Sequence, residues 1–129
     1  MDQSMTYRQL NEAVNRFAAA MQKLGVEKGD RVAMFMPNCP QLVIAYYGTM
    51  RAGGIAVPSN FLYTAEEMEH QLSDAGAEIV VTLSSFYKRL HSIRANTRLR
   101  HMIVTNVKEH FPTLLSLLFA FLTWIAMVE

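Results

Sequence analysis

Apolar strand-like runs alternate with helix-like segments along most of this chain, and this alternation constrains the fold more than any other feature. It is clearest in VAMFMPNCPQLVIAYYGTMRAGGIAVP, which runs from Val32 to Pro58. An apolar run is followed there by a turn, a helical pattern, a glycine pair and a second apolar run. Apolar runs bounded by turn residues are typical of strands that are covered on both faces. The alternation therefore predicts an α/β fold with βαβ units and a mainly parallel sheet.

The first helix is predicted between Thr6 and Gly25. Thr6 and Gln9 have the spacing of a capping box, and glycine is the usual residue just past a helix end. The apolar side chains step by three and four and should share one buried face. They are Tyr7, Leu10, Val14, Phe17, Met21 and Leu24.

The second helix is predicted to begin at Asn38, whose side chain can accept a hydrogen bond from a free amide of the first turn. Pro40 falls in that turn, where its missing N–H costs little. Residues 42–50 are nearly all apolar, so we expect this helix to be buried on most sides. Gly53 and Gly54 should end it.

The remaining segments continue the same alternation. Thr64 and Glu67 form a second capping-box pattern, and Gly76 is predicted to stop the helix that follows. The predicted elements are a strand at 55–57 closed by Pro58, a helix from Thr64 to Gly76 with Met68, Leu72 and Ala75 inward, a strand at 78–83, a helix at 84–95 and a strand at 100–105.

The end of the chain differs in composition from the rest. Residues 111–128 read FPTLLSLLFAFLTWIAMV and carry no charge. A membrane-spanning helix needs about 20 apolar residues, so this run is short for a span. We therefore predict one α/β domain over residues 1–110, followed over residues 111–129 by an apolar C-terminal helix.

The charges are grouped, although the formal net charge is only +1. Residues 66–78 carry five acids and no Lys or Arg, whereas residues 88–100 carry five bases and no acid. Either run can be a solvated helix face. The basic run has a second interpretation as a surface for phosphate or anionic lipid. Because it lacks interleaved aromatic residues, we do not expect it to bind nucleic acid.

Motifs for phosphate and metal binding are missing from the sequence. It contains neither GxxxxGK[ST] nor GxGxxG, and Gly53 and Gly54 precede a strand where a phosphate loop would open a helix. Four histidines occur, but none belongs to an HxxxH or HExxH pair. His70 lies among glutamates, which favours a solvated helix face.

Candidate nucleophiles have little support. Cys39 lies at a predicted helix N-terminus, which can lower a thiol pKa, or it is a semi-buried small residue. Ser84 and Ser85 have no histidine nearby in the sequence and no GxSxG motif. We therefore predict no catalytic, cofactor-binding or metal-binding residue. A single cysteine and an N-terminus without a signal-peptide pattern predict a cytoplasmic location.

The order of these motifs resembles a known family. Residues 6–83 are similar to the N-terminal subdomain of the acyl-CoA synthetases of the adenylate-forming superfamily, and most similar to bacterial long-chain fatty acid–CoA ligases. GDRVA at residues 29–33, Pro37–Asn38, AGG at 52–54 and EMEHQL at 67–72 carry the resemblance. Residues 98–119 continue it more loosely.

The resemblance implies a function for a longer protein. Family enzymes use ATP and Mg²⁺ to turn a carboxylic acid into an acyl-adenylate, which coenzyme A then converts to a thioester. Their phosphate loop and catalytic lysine lie downstream of the matched motifs. The chain departs from the family pattern at Phe61, where a proline is common, and after about residue 119.

Two hypotheses follow. The first is a truncated AMP-dependent synthetase/ligase, inactive alone, that binds none of these cofactors itself. The second is a non-catalytic, membrane-associated module that uses residues 88–100 and 111–128 for peripheral membrane contact. Under either hypothesis we expect exposed apolar surface, weak cooperativity and self-association.

Overall fold

A computed structural model of the protein describes residues 6–105. These residues form four α-helices and four β-strands in strict alternation, with short 3₁₀ turns at Ser84–Phe86 and Arg94–Asn96. In chain order the elements are α1 (Tyr7–Lys23), β1 (Arg31–Phe35), α2 (Pro40–Arg51), β2 (Ile55–Ser59), α3 (Ala65–Ala75), β3 (Ile79–Leu83), α4 (Tyr87–Ile93) and β4 (His101–Thr105). The predicted C-terminal helix and the boundary after residue 110 lie outside the described residues.

The four strands form one parallel sheet in the order β2-β1-β3-β4. Met34 at the centre of β1 lies opposite Pro58 on one side and Val81 on the other. The α/β class and the parallel sheet predicted from the alternation are therefore confirmed.

The sheet is covered on both faces. One core cluster joins α1 and α2 to side chains such as Val32 and Met34, and a second joins α3 and α4 to side chains such as Ala33 and Phe35. Successive residues of a strand point to opposite faces, so a strand inside such a sheet must be apolar throughout. This explains why residues 32–35 are all fully buried.

The helix ends follow the sequence signals closely. In the second capping box the Glu67 amide donates to Thr64 Oγ1 at 3.2 Å, and the Thr64 amide donates to Glu67 Oε1 at 3.1 Å. Thr6 and Gln9 make the same pair of bonds at the start of α1. Gly76 takes the left-handed conformation at the end of α3, with φ of +64°.

The glycine pair is a helix stop with close backbone packing, as its position before a strand indicated. Gly53 has φ of +95°, and its carbonyl accepts a hydrogen bond from the Gly29 amide at 2.9 Å. A Cβ atom at Gly54 would lie 3.2 Å from the Asp30 carbonyl oxygen. These contacts fix the turn before β1 against the turn before β2.

Two predictions about the first turns of helices were wrong, one for the cap of α2 and one for the burial of Tyr7. The N-cap of α2 is Cys39 and not Asn38, and the Cys39 side chain makes no capping hydrogen bond. Pro40 directly follows the cap, so the helix begins one residue later than the asparagine signal indicated. Tyr7 is 91% exposed, because it lies in the first turn of α1, ahead of the part that packs on α2.

As predicted, α2 is buried on most sides, but one side of it is exposed. Ile44, Ala45 and Gly48 are buried, but Val43, Tyr47 and Met50 are exposed on the opposite side of the helix. Composition alone cannot separate the two sides when both are apolar. Which side of α2 is exposed depends on what the helix packs against in the folded chain.

Pro58 lies inside β2 and does not end it. The Ile55 amide donates to the Asp30 carbonyl at 2.7 Å, and alternate amides of a strand point to the same side. The nitrogen of Pro58 therefore points away from β1. An edge strand tolerates proline in this position, because no ladder hydrogen bond is lost.

Candidate functional site

Within residues 6–105, the strand order gives the sheet a topological switch point between β1 and β3. The chain leaves β1 toward β2 by way of α2, and it leaves β3 in the other direction by way of α4. These two connections lie on opposite faces of the sheet. In open α/β sheets, ligands bind outside the carboxyl ends of the strands at such a switch point. The candidate site is therefore the edge formed by residues 36–39 and 84–86.

The base of this edge is well ordered by hydrogen bonding. The buried Thr82 hydroxyl donates to the Phe35 carbonyl oxygen at 2.9 Å and joins the ends of β3 and β1. Above it, Asn38, Ser84 and Ser85 are exposed and Cys39 is buried. Small polar groups are therefore exposed at this edge, beside the half-buried ring of Phe86.

Cys39 is poorly suited to act as a nucleophile. Burial raises the pKa of its thiol above the ordinary value of 9.0, and the amides of Leu42 and Gln41 lower it only in part. A thiol with a raised pKa is largely protonated near neutral pH and therefore unreactive. This agrees with the interpretation of Cys39 as a buried small side chain.

The start of α2 has few donors left for an anion. Pro40 has no N–H, and the amides of Leu42 and Val43 bond to the Cys39 carbonyl at 3.0 and 3.4 Å. Neither 36–39 nor 84–86 contains a lysine, an arginine or a carboxylate. A triphosphate with Mg²⁺ needs charged partners. The described residues of this edge therefore do not fit such a group.

A second cluster joins the loop after β2 to α4 and adjoins this edge through Phe86. The rings of Phe61 and Phe86 are 5.6 Å apart, and the Arg89 guanidinium lies 5.3 Å from the centre of Phe86. Arg89 also donates to the Tyr63 carbonyl at 2.9 Å. These contacts hold the loop that contains Phe61, the residue found where the family often has proline.

The acidic run is largely the outer face of α3. His70 lies 3.3 Å from Asp74 one turn later, and both side chains are mostly exposed. Glu67 caps the helix, and Glu69 accepts a hydrogen bond from Asn96 at 2.8 Å. A shallow, open depression follows these side chains from Tyr63 to Ser73. The solvated-face interpretation of this run is supported.

The basic run also has structural roles. Arg100 pairs with Glu78 at 2.7 Å, and Arg94 donates to the Arg100 carbonyl at 2.8 Å. Together with Arg89, three of its five bases therefore contact the protein itself. The other part of the membrane hypothesis, residues 111–128, lies outside the described residues. In the region from 6 to 105, no helix is long and apolar enough to cross a membrane.

The remaining histidines do not form a site with one another in the described residues. His91 stacks on Tyr87 in α4, and His101 lies at the start of β4, while His110 lies outside the described residues. Within residues 6–105, no cluster of His, Cys, Asp and Glu could hold a metal ion. The switch point was not predicted from the sequence, because it depends on the strand order.

The fold and this edge together define a structural class. Residues 6–105 form a doubly wound α/β unit, and residues 36–39 and 84–86 at its switch point include small polar side chains and no charged one. Residues 1–118 match the family described as AMP-binding enzyme. The chain therefore belongs to the AMP-binding enzyme family.

Curated relatives and solved structures agree with this assignment. A long-chain-fatty-acid–CoA ligase of Yersinia pestis is 47% identical over 110 residues, which are 84% of this chain and 20% of the relative. A Bacillus subtilis protein of the same name is 39% identical over 108 residues, which are 84% of this chain and 19% of the relative. The resemblance proposed from the motifs is thus confirmed.

Solved structures of CoA ligases and synthetases contain a unit with the same fold. An anthranilate CoA ligase in complex with anthranoyl-AMP matches with a TM-score of 0.79 at 28% identity, over 97% of this chain and 22% of the other. A Mycobacterium tuberculosis fatty acyl CoA synthetase matches with a TM-score of 0.73 at 36% identity, over 78% of this chain and 21% of the synthetase chain. The chain spans about a fifth of the length of the curated relatives it matches.

Proposed function

We propose that this chain is the first part of the N-terminal subdomain of a fatty acid–CoA ligase and acts as a structural unit of that enzyme. The observation that carries the proposal is the 47% identity to a long-chain-fatty-acid–CoA ligase over 84% of the chain. The whole ligase would form an acyl-adenylate from a fatty acid and ATP with Mg²⁺, and would then transfer the acyl group to coenzyme A. We expect it to work in the cytoplasm.

The 129-residue chain is not expected to catalyse this reaction by itself. Stabilising the charge that develops in phosphoryl and adenylyl chemistry needs preorganised donors and cations. The described carboxyl edge of the sheet offers small polar groups and a protonated thiol instead. The groups that bind the triphosphate would therefore come from other polypeptide of the ligase.

The test is ATP–pyrophosphate exchange with a long-chain fatty acid. We expect the purified chain to give no exchange above a heat-denatured control. Exchange that depends on both chain and fatty acid would contradict the proposal.

The membrane alternative has no support from the described residues. Liposome flotation of the intact chain, compared with a chain that ends at residue 110, tests it separately.

A further inference from the structure

An apolar stripe on α2 faces away from both cores. Val43, Tyr47 and Met50 are 38%, 51% and 43% exposed. Their spacing of four and three residues places them on one side of the helix. We refer to these three residues as the α2 stripe.

The outward faces of the other helices are different. On α1 the exposed side includes Arg8, Glu12 and Arg16, and on α3 it includes Glu66 and His70. A surface helix normally presents such polar residues to water, whereas a helix that is apolar on all sides is typical of the interior of a larger protein. The composition of α2 therefore fits a helix that is covered on its outer side too.

The stripe also rests on a fixed support. Ile44 and Ala45, on the inner side of α2, are almost fully buried. At the end of the helix, Arg51 donates to Asn11 and Asn15 of α1 at 2.9 and 2.7 Å. Tyr47 packs edge-on against Tyr46, with 5.4 Å between the ring centres. A partner would therefore meet a preorganised surface and pay little ordering entropy at this site.

We propose that the α2 stripe is an interaction surface for the remaining polypeptide of a fatty acid–CoA ligase, and this inference rests on the function proposed above. The relatives are about five times as long as the matched segment, so most of their polypeptide lies outside this unit. An outward apolar face on a unit of this kind is where that polypeptide would pack.

A second copy of this chain fits the stripe less well. Three half-exposed side chains offer on the order of 200–300 Å² of apolar surface, whereas a stable dimer buries about 800 Å² on each partner. A small patch of this size is suited to one part of a larger interface. The rest of the ligase can supply that larger interface.

The experiment co-expresses the 129-residue chain with the part of the Yersinia pestis ligase that follows its matched segment, so that the two can fold together. The test variant is Val43→Gln/Tyr47→Gln/Met50→Gln. The matched control is Leu62→Gln, because Leu62 is 72% exposed and lies in the loop after β2. Thermal unfolding of each lone chain checks that neither variant changes the fold.

We expect the unmodified chain and the Leu62 control to co-purify with the ligase remainder in a 1:1 complex. The stripe variant should weaken that complex at least tenfold while its own unfolding midpoint stays unchanged. A complex that tolerates the stripe variant, the lack of any complex, or a stripe-dependent homodimer that excludes the remainder would each overturn the inference.

Thioester formation, measured on the same samples, separates this inference from the proposed function. A stripe-dependent complex that makes no acyl-CoA would support the docking surface and count against the ligase assignment. Acyl-CoA formation that is insensitive to the stripe variant would support the ligase assignment and overturn the docking surface.

Discussion

At the scale of single residues, Gly48 controls how closely α1 and α2 pack. A Cβ atom at this position would lie 2.6 Å from Phe17 Cδ1 and 3.0 Å from Phe17 Cβ. Both residues are buried, and Phe17 is among the largest fully buried side chains of the described core. The side chain that is missing at Gly48 therefore makes room for an aromatic ring.

Gly48→Ala should destabilise the chain. Overpacking typically costs about 1–3 kcal/mol, and the better helix propensity of alanine returns up to about 1 kcal/mol. We expect a net loss of about 1 kcal/mol in the free energy of unfolding, measured by urea titration. In a double-mutant cycle, Phe17→Leu should relieve part of the clash. Strictly additive losses would show that the two side chains do not meet.

Cys39 should make stability depend on pH in the alkaline range. Because burial raises its pKa above 9.0, the folded chain keeps the thiol proton where the unfolded chain has lost it. This contribution is complete below about pH 9 and is lost as the pH rises through the folded-state pKa. The free energy of unfolding should therefore fall more steeply above pH 9 in the unmodified chain than in Cys39→Ala. Parallel pH profiles of the two proteins would contradict this.

At the scale of elements, the starts of α2 and α3 offer a matched pair of tests. Thr64 caps α3 through its hydroxyl, whereas Asn38 makes no cap because α2 begins after Cys39. Thr64→Ala should cost about 1 kcal/mol of unfolding free energy, and Thr64→Ser should retain most of it. Asn38→Ala, at an exposed position, should change stability by less than about 0.5 kcal/mol. A larger loss at Asn38 than at Thr64 would reverse our assignment of the two caps.

Among residues 6–105, the two outer strands of the sheet differ in how they present their free edges. β2 carries Pro58 with its nitrogen turned outward, which removes a donor from the row that another strand could pair with. β4 has no proline, and residues 102–105 are apolar or threonine and fully buried. The β2 edge is therefore protected against strand addition by its own sequence.

At the scale of the whole molecule, the described residues make two cores but leave apolar surface outside them. Besides the α2 stripe, Ile55 on β2 and Leu62 in the following loop are exposed. A small domain with two thin cores also has little stability to lose. We therefore expect the chain alone to unfold with weak cooperativity and to associate.

Calorimetry and sedimentation velocity test this prediction together. The van't Hoff enthalpy should differ from the calorimetric enthalpy, and the sedimentation coefficient should rise with concentration. A single sharp transition from a monomer at all concentrations would contradict it.

The sequence by itself determined the elements and the class of the fold, because the relevant signals are local. Capping boxes at Thr6 and Thr64 and the stop at Gly76 involve residues within a few positions of one another, so each could be read from a short segment. The apolar runs of β1 and β3 required cover on both faces, which made an α/β sheet the consistent solution. The family resemblance likewise depended on motifs in a fixed order.

Only the tertiary structure decided the strand order, the switch point and the exposed side of α2. Strand order depends on which partners β1 takes from distant parts of the chain, and no local pattern states that β1 lies between β2 and β3. The exposure of Val43, Tyr47 and Met50 depends on what covers α2, and apolar residues on both sides of a helix carry no signal that separates them. Caps and turns depend on residues a few positions apart, so a short segment of sequence predicts them. Strand order and helix exposure depend on contacts between distant segments, which form only when the chain folds.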